Sequence, residues 1–286
     1  MATLNSDGSY ADTAAKVALA QEGDTVLLPA GTFTWGSKLT WTNKGIILRG
    51  AGQGVTTIID GRALGSGNLI EIHSCGVKVV EVCYMSMEGI QSTENANNSV
   101  LISIGGNSEQ NKNFRFHHLT LLVGKRGIVV QGRNDGGLID NATINCVLLA
   151  QCQGITIYGD AGYTLVPGNT AASFPPGTAF QSGRNEGSLE RVYIEDVVGN
   201  FTYVNDAFIE GYQGAKYTIR DSIIYEAQIG AHGLDSSISG THSVEAYRIT
   251  RYITTGVGVN KNFLELRSGT GVFHDTNEII VSPGSY

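Results

Sequence analysis

The sequence predicts an all-β solenoid of parallel strands, and two observations carry the prediction. The first is a recurring pattern: a short apolar strand, a polar residue, then glycine. It occurs at Ile72-His73 (with Gly76 close behind), Ile104-Gly105-Gly106, Val130-Gln131-Gly132, Ile157-Tyr158-Gly159, Ile209-Glu210-Gly211, Ala231-His232-Gly233 and Leu266-Arg267-Ser268-Gly269. A second β-rich run follows each one, at 77–82, 114–122, 138–144, 192–198, 217–224, 244–250 and 272–280. The period is roughly 22–30 residues, the range in which stacked repeats place equivalent residues in columns. The second observation is composition. The 286 residues include 38 glycines, yet only 16% are charged. Glycine is about twice its usual share and charge is well below the usual quarter. Many glycines among β-branched residues mean strands joined by tight turns. One repeat running throughout predicts a single elongated domain over 1–286.

The elements follow in order. Residues 10–22 are rich in Ala and Leu and read as the one good helix, capped by Asp12 or Thr13 and ended by Gly23. Short strands with Gly-rich turns follow at 24–33, 39–42, 46–48 and 57–60. Polar loops interrupt at 91–99 and 105–113. Residues 159–185 hold Pro167, Pro175 and Pro176 and read as a surface insertion lying over the face that includes Tyr158. In the second run of each repeat, His118, Asn141, Asp196, Asp221 and Arg248 form a column of turn formers. The chain closes on Val281-Ser-Pro-Gly-Ser-Tyr286 without a helix. A last coil left open exposes strand edges, so an oligomer or a partner chain is expected to cover it.

Two segments carry a family resemblance. Gly23-Asp-Thr-Val-Leu-Leu-Pro-Ala-Gly-Thr-Phe33 followed by Lys44-Gly-Ile-Ile-Leu-Arg-Gly-Ala-Gly52 resembles the N-terminal start of right-handed parallel β-helix proteins of the pectate-lyase-like superfamily. The later segments His232-Gly-Leu-Asp-Ser236, Gly240-Thr-His242, Glu245-Ala-Tyr247 and Leu266-Arg-Ser-Gly-Thr-Gly271 resemble uncharacterised bacterial and phage β-helix proteins. The resemblance implies a single-stranded right-handed parallel β-helix of about nine to eleven coils, with residues 10–22 capping its first coil. It leaves the activity open, because that scaffold hosts lyases, hydrolases, isomerases, adhesins and phage tailspikes.

Aligning the repeats on their glycines gives an inward stack of Ile72, Ile104, Val130, Ile157, Ile209, Ala231 and Leu266. It also gives an outward column of His73, Gly105, Gln131, Tyr158, Glu210, His232 and Arg267. Tyr158, Glu210, His232 and Arg267 then occupy consecutive rungs about 4.8 Å apart. Glu71, Ser103, Thr156, Phe208 and Glu265 precede that column by two residues, and Tyr212 and Asp235 lie just beyond it. An aromatic, a carboxylate, an imidazole and a guanidinium in one row suit an extended glycan. Catalysis would fall to Glu210, His232 and Arg267, and glycan binding to Gln131, Tyr158, Tyr212, Asp235 and Glu265. The same charges also suit a purely structural ladder of cross-strand pairs.

The mechanistic alternatives make different demands. A uronate lyase needs a base and a group that neutralises the sugar carboxylate, often Ca²⁺; no compact acidic cluster for it is evident. An inverting hydrolase needs carboxyls 6.5–9.5 Å apart, and Glu210 and Glu265 fall two rungs apart, near that upper limit. Ser236 and Ser237 lack the strained turn of a nucleophile elbow. No cofactor is otherwise expected, and no metal site, since His117 and His118 are strand neighbours that should face opposite ways. The net charge of −7 argues against nucleic acid or an anionic membrane as a partner. No stretch is apolar enough to cross a bilayer, and the first residues lack a basic segment followed by an apolar run, so they are not expected to be a signal peptide. Cys75, Cys83, Cys146 and Cys152 form no metal motif and read as buried thiols, with a Cys146–Cys152 disulfide as the alternative. The functional expectation is a virion-associated or extracellular glycan-binding protein of the tailspike, fibre or adhesin kind. The alternatives are a polysaccharide lyase or glycoside hydrolase, and a pure scaffold.

Overall fold

The structure is a computed structural model. It describes residues 1–92, 99–106, 111–131, 136–147, 152–159, 191–202, 207–212, 215–231, 242–254, 263–266 and 269–281. The insertion expected at 159–185 lies, beyond Gly159, outside the described residues, as do the centres of the two smaller polar loops.

Strands alternate between two sheets, and the neighbours in both are parallel. The first sheet runs in spatial order through Thr3–Asn5, Thr25–Leu27, Ile47–Arg49, Gly76–Glu88, Asn111–Leu122, Gly137–Cys146, Val192–Phe201, Lys216–Arg220, His242–Tyr247 and Gly269–His274. Gly31–Trp35, Thr56–Asp60, Ile223–Tyr225, Thr250–Thr254 and Asn277–Val281 pair alongside it. The second sheet runs through Leu39–Thr42, Asn68–His73, Val100–Ile104, Arg126–Val130, Gln153–Tyr158, Ala207–Tyr212, Gln228–Ala231 and Leu264–Leu266. Parallel neighbours cannot be joined by a hairpin. The chain therefore crosses to the other sheet and returns one rung further on, which makes each repeat a coil. A continuous apolar core between the sheets extends from Val17 to Ile249.

The helix is shorter than the composition suggests. It spans Tyr10–Leu19, with Ser9 rather than Asp12 or Thr13 at its N-cap. It stops at Ala20, and the Lys44 ammonium donates to the carbonyls of Val17, Ala18 and Ala20 at 3.1 Å each. A cation on the last carbonyls is a favourable C-terminal cap. Gly23, with φ +80°, sits in the turn beyond. Val17 is buried against the first strands.

In the second sheet Ile70, Ile102, Ile128, Ile155, Ile209 and Ile229 pair rung by rung and are all buried. The next inward row is Trp41, Ile72, Ile104, Val130, Ile157 and Gly211, and Gly211 pairs in register with Ala231. The expected stack therefore slips at one coil, where Gly211 takes the place assigned to Ile209. Packing explains the slip. A Cβ on Gly211 would lie 3.2 Å from both Ala215 and the ring of Tyr217. That ring is fully buried and donates its hydroxyl to the Gly230 carbonyl at 3.0 Å. Tyr217 fills from the first sheet the space that an inward side chain would otherwise occupy.

The column of turn formers is a column of left-handed residues. His118, Asn141, Asp196, Asp221 and Arg248 have φ between +49° and +53°, and Tyr84 and Asp275 extend it at +56° and +51°. Each bends its chain where one stretch of the first sheet gives way to the next. The rungs are tied sideways: Tyr84 stacks on His118 at 4.5 Å, and Arg248 grips Asp221 through two bonds of 2.6 and 2.8 Å. The bend overturns the expectation that His117 and His118 face apart, since their Nδ1 atoms meet at 2.7 Å.

Cys146 and Cys152 form a disulfide, so the thiol reading holds only for buried Cys75 and Cys83. Arg191 and Glu245 form a buried ion pair at 2.8 Å, each 1% exposed. Two stability outcomes are expected. Replacing Asn141 by Val, which resists the left-handed region, should lower stability by about 1–2 kcal/mol in urea unfolding, whereas Gly should cost less. Replacing both Cys146 and Cys152 by Ala should cost about 2 kcal/mol, the loop-closure value for a six-residue separation.

Candidate functional site

Alternation places the residues between the two inward rows of the second sheet on its outer face. One such row reads Thr40, Glu71, Ser103, Val129, Thr156, Glu210, Gly230 and Glu265 in direct register. Glu210 thus belongs with Thr156 rather than with Tyr158, two positions from its expected place but on the expected face. Tyr158 pairs with Tyr212, and the rings stack at 5.0 Å with an interplanar angle of 15°.

A polar network binds these rows together. Gln153, at the start of its strand, donates from Nε2 to Glu210 Oε2 at 2.9 Å and to the Tyr212 hydroxyl at 3.0 Å. Its Oε1 accepts from Arg126 Nε at 2.7 Å and from Thr156 Oγ1 at 3.1 Å. Glu210 is only 5% exposed and Thr156 is fully buried. Burial, reinforced by the nearby Glu210 charge, pushes the Tyr212 phenol well above its ordinary range. Tyr212 therefore remains a neutral, rigid ring whose position the Gln153 amide fixes.

Glu265 lies in the same row as Glu210, with Gly230 the rung between them. Two rungs separate their Cα atoms by about 9–10 Å. Gly230 contributes no side chain between the two carboxylates, and it is itself buried beside the nearly buried Glu210. At the other end of the row, Glu71 is held by Lys38, by Asn68 Nδ2 at 2.6 Å and by His73 at 3.5 Å. Burial raises the Glu71 carboxyl, but the Lys38 and Asn68 bonds outweigh it and hold the group below its usual range.

The sequence-derived candidates divide as follows. Tyr158, Glu210, Tyr212 and Glu265 come together on the outer face of the second sheet. Gln131 follows Val130 just past the end of its strand, its backbone N–H donating to the Ile104 carbonyl at 2.8 Å. His232, Asp235 and Arg267 lie outside the described residues. The repeat pattern missed Gln153 and Arg126. The signal was a long polar side chain opening each of two consecutive strands, a feature that apolar periodicity does not register.

The sequence matches no protein-family model. It matches no curated relative either. Similar solved structures include an alginate lyase from Paenibacillus sp. str. FPU-7, at 14% identity and TM-score 0.42, covering 96% of this chain and 99% of that one. A pectin methylesterase in complex with a hexasaccharide follows at 12% identity and TM-score 0.43, covering 92% of each chain. The catalytic domain of an alpha-1,3-glucanase in complex with tetrasaccharides stands at 11% identity and TM-score 0.35, covering 98% of this chain and 65% of that one. These values are too low to speak to activity, which rests on the row itself.

Gln153 is the keystone of the network. Gln153→Ala removes a donor from a nearly buried carboxylate and should destabilise the fold by about 1.5–3 kcal/mol, read by urea unfolding. Gln153→Glu, which sets a second carboxylate beside Glu210, should cost more.

Proposed function

We propose that this protein acts on an extended polysaccharide laid along the outer face of the second sheet, with Glu210 and Glu265 as the hydrolytic pair. The observation that carries this reading is the register of Glu210, Gly230 and Glu265 in one outward row. The Cα separation of about 9–10 Å lets the carboxyl groups close to the 6.5–9.5 Å of an inverting pair, with room for a water between. One carboxylic acid would protonate the glycosidic oxygen, and the other would activate that water from the opposite face of the sugar. The stacked Tyr158 and Tyr212 would form an apolar wall for sugar rings, and the Gln153 network would hold Glu210 in place. We place this reading ahead of the tailspike or adhesin expectation because the register sets two carboxylate residues two rungs apart on one face, a spacing that an inverting pair can use. We further infer that the coils close in a right-handed sense, as parallel crossovers almost always do. An extracellular setting is part of the proposal; the Cys146–Cys152 disulfide fits an oxidising compartment.

A second reading is retained on one observation: Glu210 is only 5% exposed, which suits a structural anchor for a glycan platform. Incubation with a panel of neutral and acidic polysaccharides separates the two. Hydrolysis predicts new reducing ends of inverted anomeric configuration, with turnover falling by about 10²–10⁴ in Glu210→Gln and in Glu265→Gln. Glycan retention without new ends, weakened by Tyr158→Ala, would establish the binding reading instead. An ultraviolet-absorbing unsaturated product would point to a lyase and refute hydrolysis.

A further inference from the structure

The outer side of the first sheet holds a cluster that the polysaccharide reading does not use. Ligand atoms of Glu81, Cys83 and His117 all lie within 4.8 Å of one another. Cys83 and His117 pair across adjacent strands, and Glu81 precedes Cys83 by two residues on the same face. Cys83 is fully buried and His117 is 4% exposed, while the Glu81 side chain, 23% exposed, gives solvent access. His117 Nε2 lies 2.6 Å from Glu81 Oε1, and its Nδ1 lies 2.7 Å from His118 Nδ1. His118 is held by Tyr84, which also carries Arg49 at 4.6 Å from its ring centre. Burial, and then the hydrogen bond to Glu81, push the Cys83 thiol far up, so it is no free nucleophilic thiolate.

We infer that the Glu81 carboxylate, the Cys83 sulfur and His117 Nε2 form a three-ligand site for a zinc-class divalent transition-metal ion. A thiolate, an imidazole and a carboxylate suit such a borderline ion, whereas Ca²⁺ and Mg²⁺ prefer oxygen alone. Three protein ligands leave a fourth position for water. On binding, the Cys83 proton leaves to solvent and the sulfur bonds the metal. His117 remains neutral: Nε2 becomes the ligand and its proton moves to Nδ1, while His118 carries its own proton on Nε2 and accepts at Nδ1. That contact already exists and is the outer-sphere hydrogen bond that orients a metal-bound histidine. Two anionic ligands then balance the ion's charge, and only small side-chain shifts are needed to widen the Glu81–His117 contact around it.

The test is equilibrium dialysis of the full chain against Zn²⁺ or Co²⁺ alone, followed by absorption spectroscopy of the cobalt form. The expected result is one ion per chain with a thiolate-to-cobalt charge-transfer band. The band should survive Cys75→Ser, the other free thiol, and vanish in Cys83→Ser. His118→Phe should weaken affinity about 10–100-fold without removing the band at saturation. No ion uptake, or a band that Cys75→Ser abolishes, would overturn the site. Should Cys83→Ser fail to fold by circular dichroism, the spectra of the native chain and of Cys75→Ser decide the question alone.

Discussion

Everything in this molecule depends on parallel register held from coil to coil. A parallel strand must share its N–H and C=O groups with the strands on both sides, and a buried group left unpaired is costly. Each coil must therefore return to the same height with the same facing, and two devices ensure it. The left-handed residues recur at one position per coil, from Tyr84 to Asp275, and bend the first sheet at the same point each time. The buried isoleucine row from Ile70 to Ile229 locks the second sheet, because a one-residue slip would turn every isoleucine outward. Functional residues follow from that lock; they lie together because their heights are fixed.

The sequence was legible where a residue's role is local and repeats. The strands, their alternation and the turn-former column all follow from short-range chemistry: β-branched runs, glycines, and Asn or Asp at bends. It was less legible where packing between sheets decides. Gly211 resembles the turn glycine of other repeats, yet lies inside a strand because Tyr217 reaches it from the opposite sheet. That single substitution of roles moved Glu210 from the Tyr158 rung to the Thr156 row. His118 was misread for a related reason: the alternation rule assumes extended backbone, and φ +50° is not extended. The Cys146–Cys152 pairing was open because sequence spacing permits a bridge without dictating how the intervening residues turn.

Charge arrangement separates the two outer faces. Two like charges on adjacent rungs, about 4.8 Å apart, repel by about 3 kcal/mol at an effective dielectric constant of 20. A solenoid column must therefore alternate sign or dilute its charge. The first sheet alternates: Arg115 grips Asp140, Arg220 reaches Glu195, and Arg248 grips Asp221 across successive rungs. The outer row of the second sheet dilutes its charge instead, with uncharged residues between its acids. Glu71 meets Lys38 from outside the row, Glu210 accepts from Gln153 at 2.9 Å, and Glu265 stands two rungs from Glu210 with Gly230 between them. The glycine between the two acids is itself buried, and its carbonyl accepts the Tyr217 hydroxyl at 3.0 Å, so this rung of the row is tied to the first sheet through its backbone rather than through a side chain.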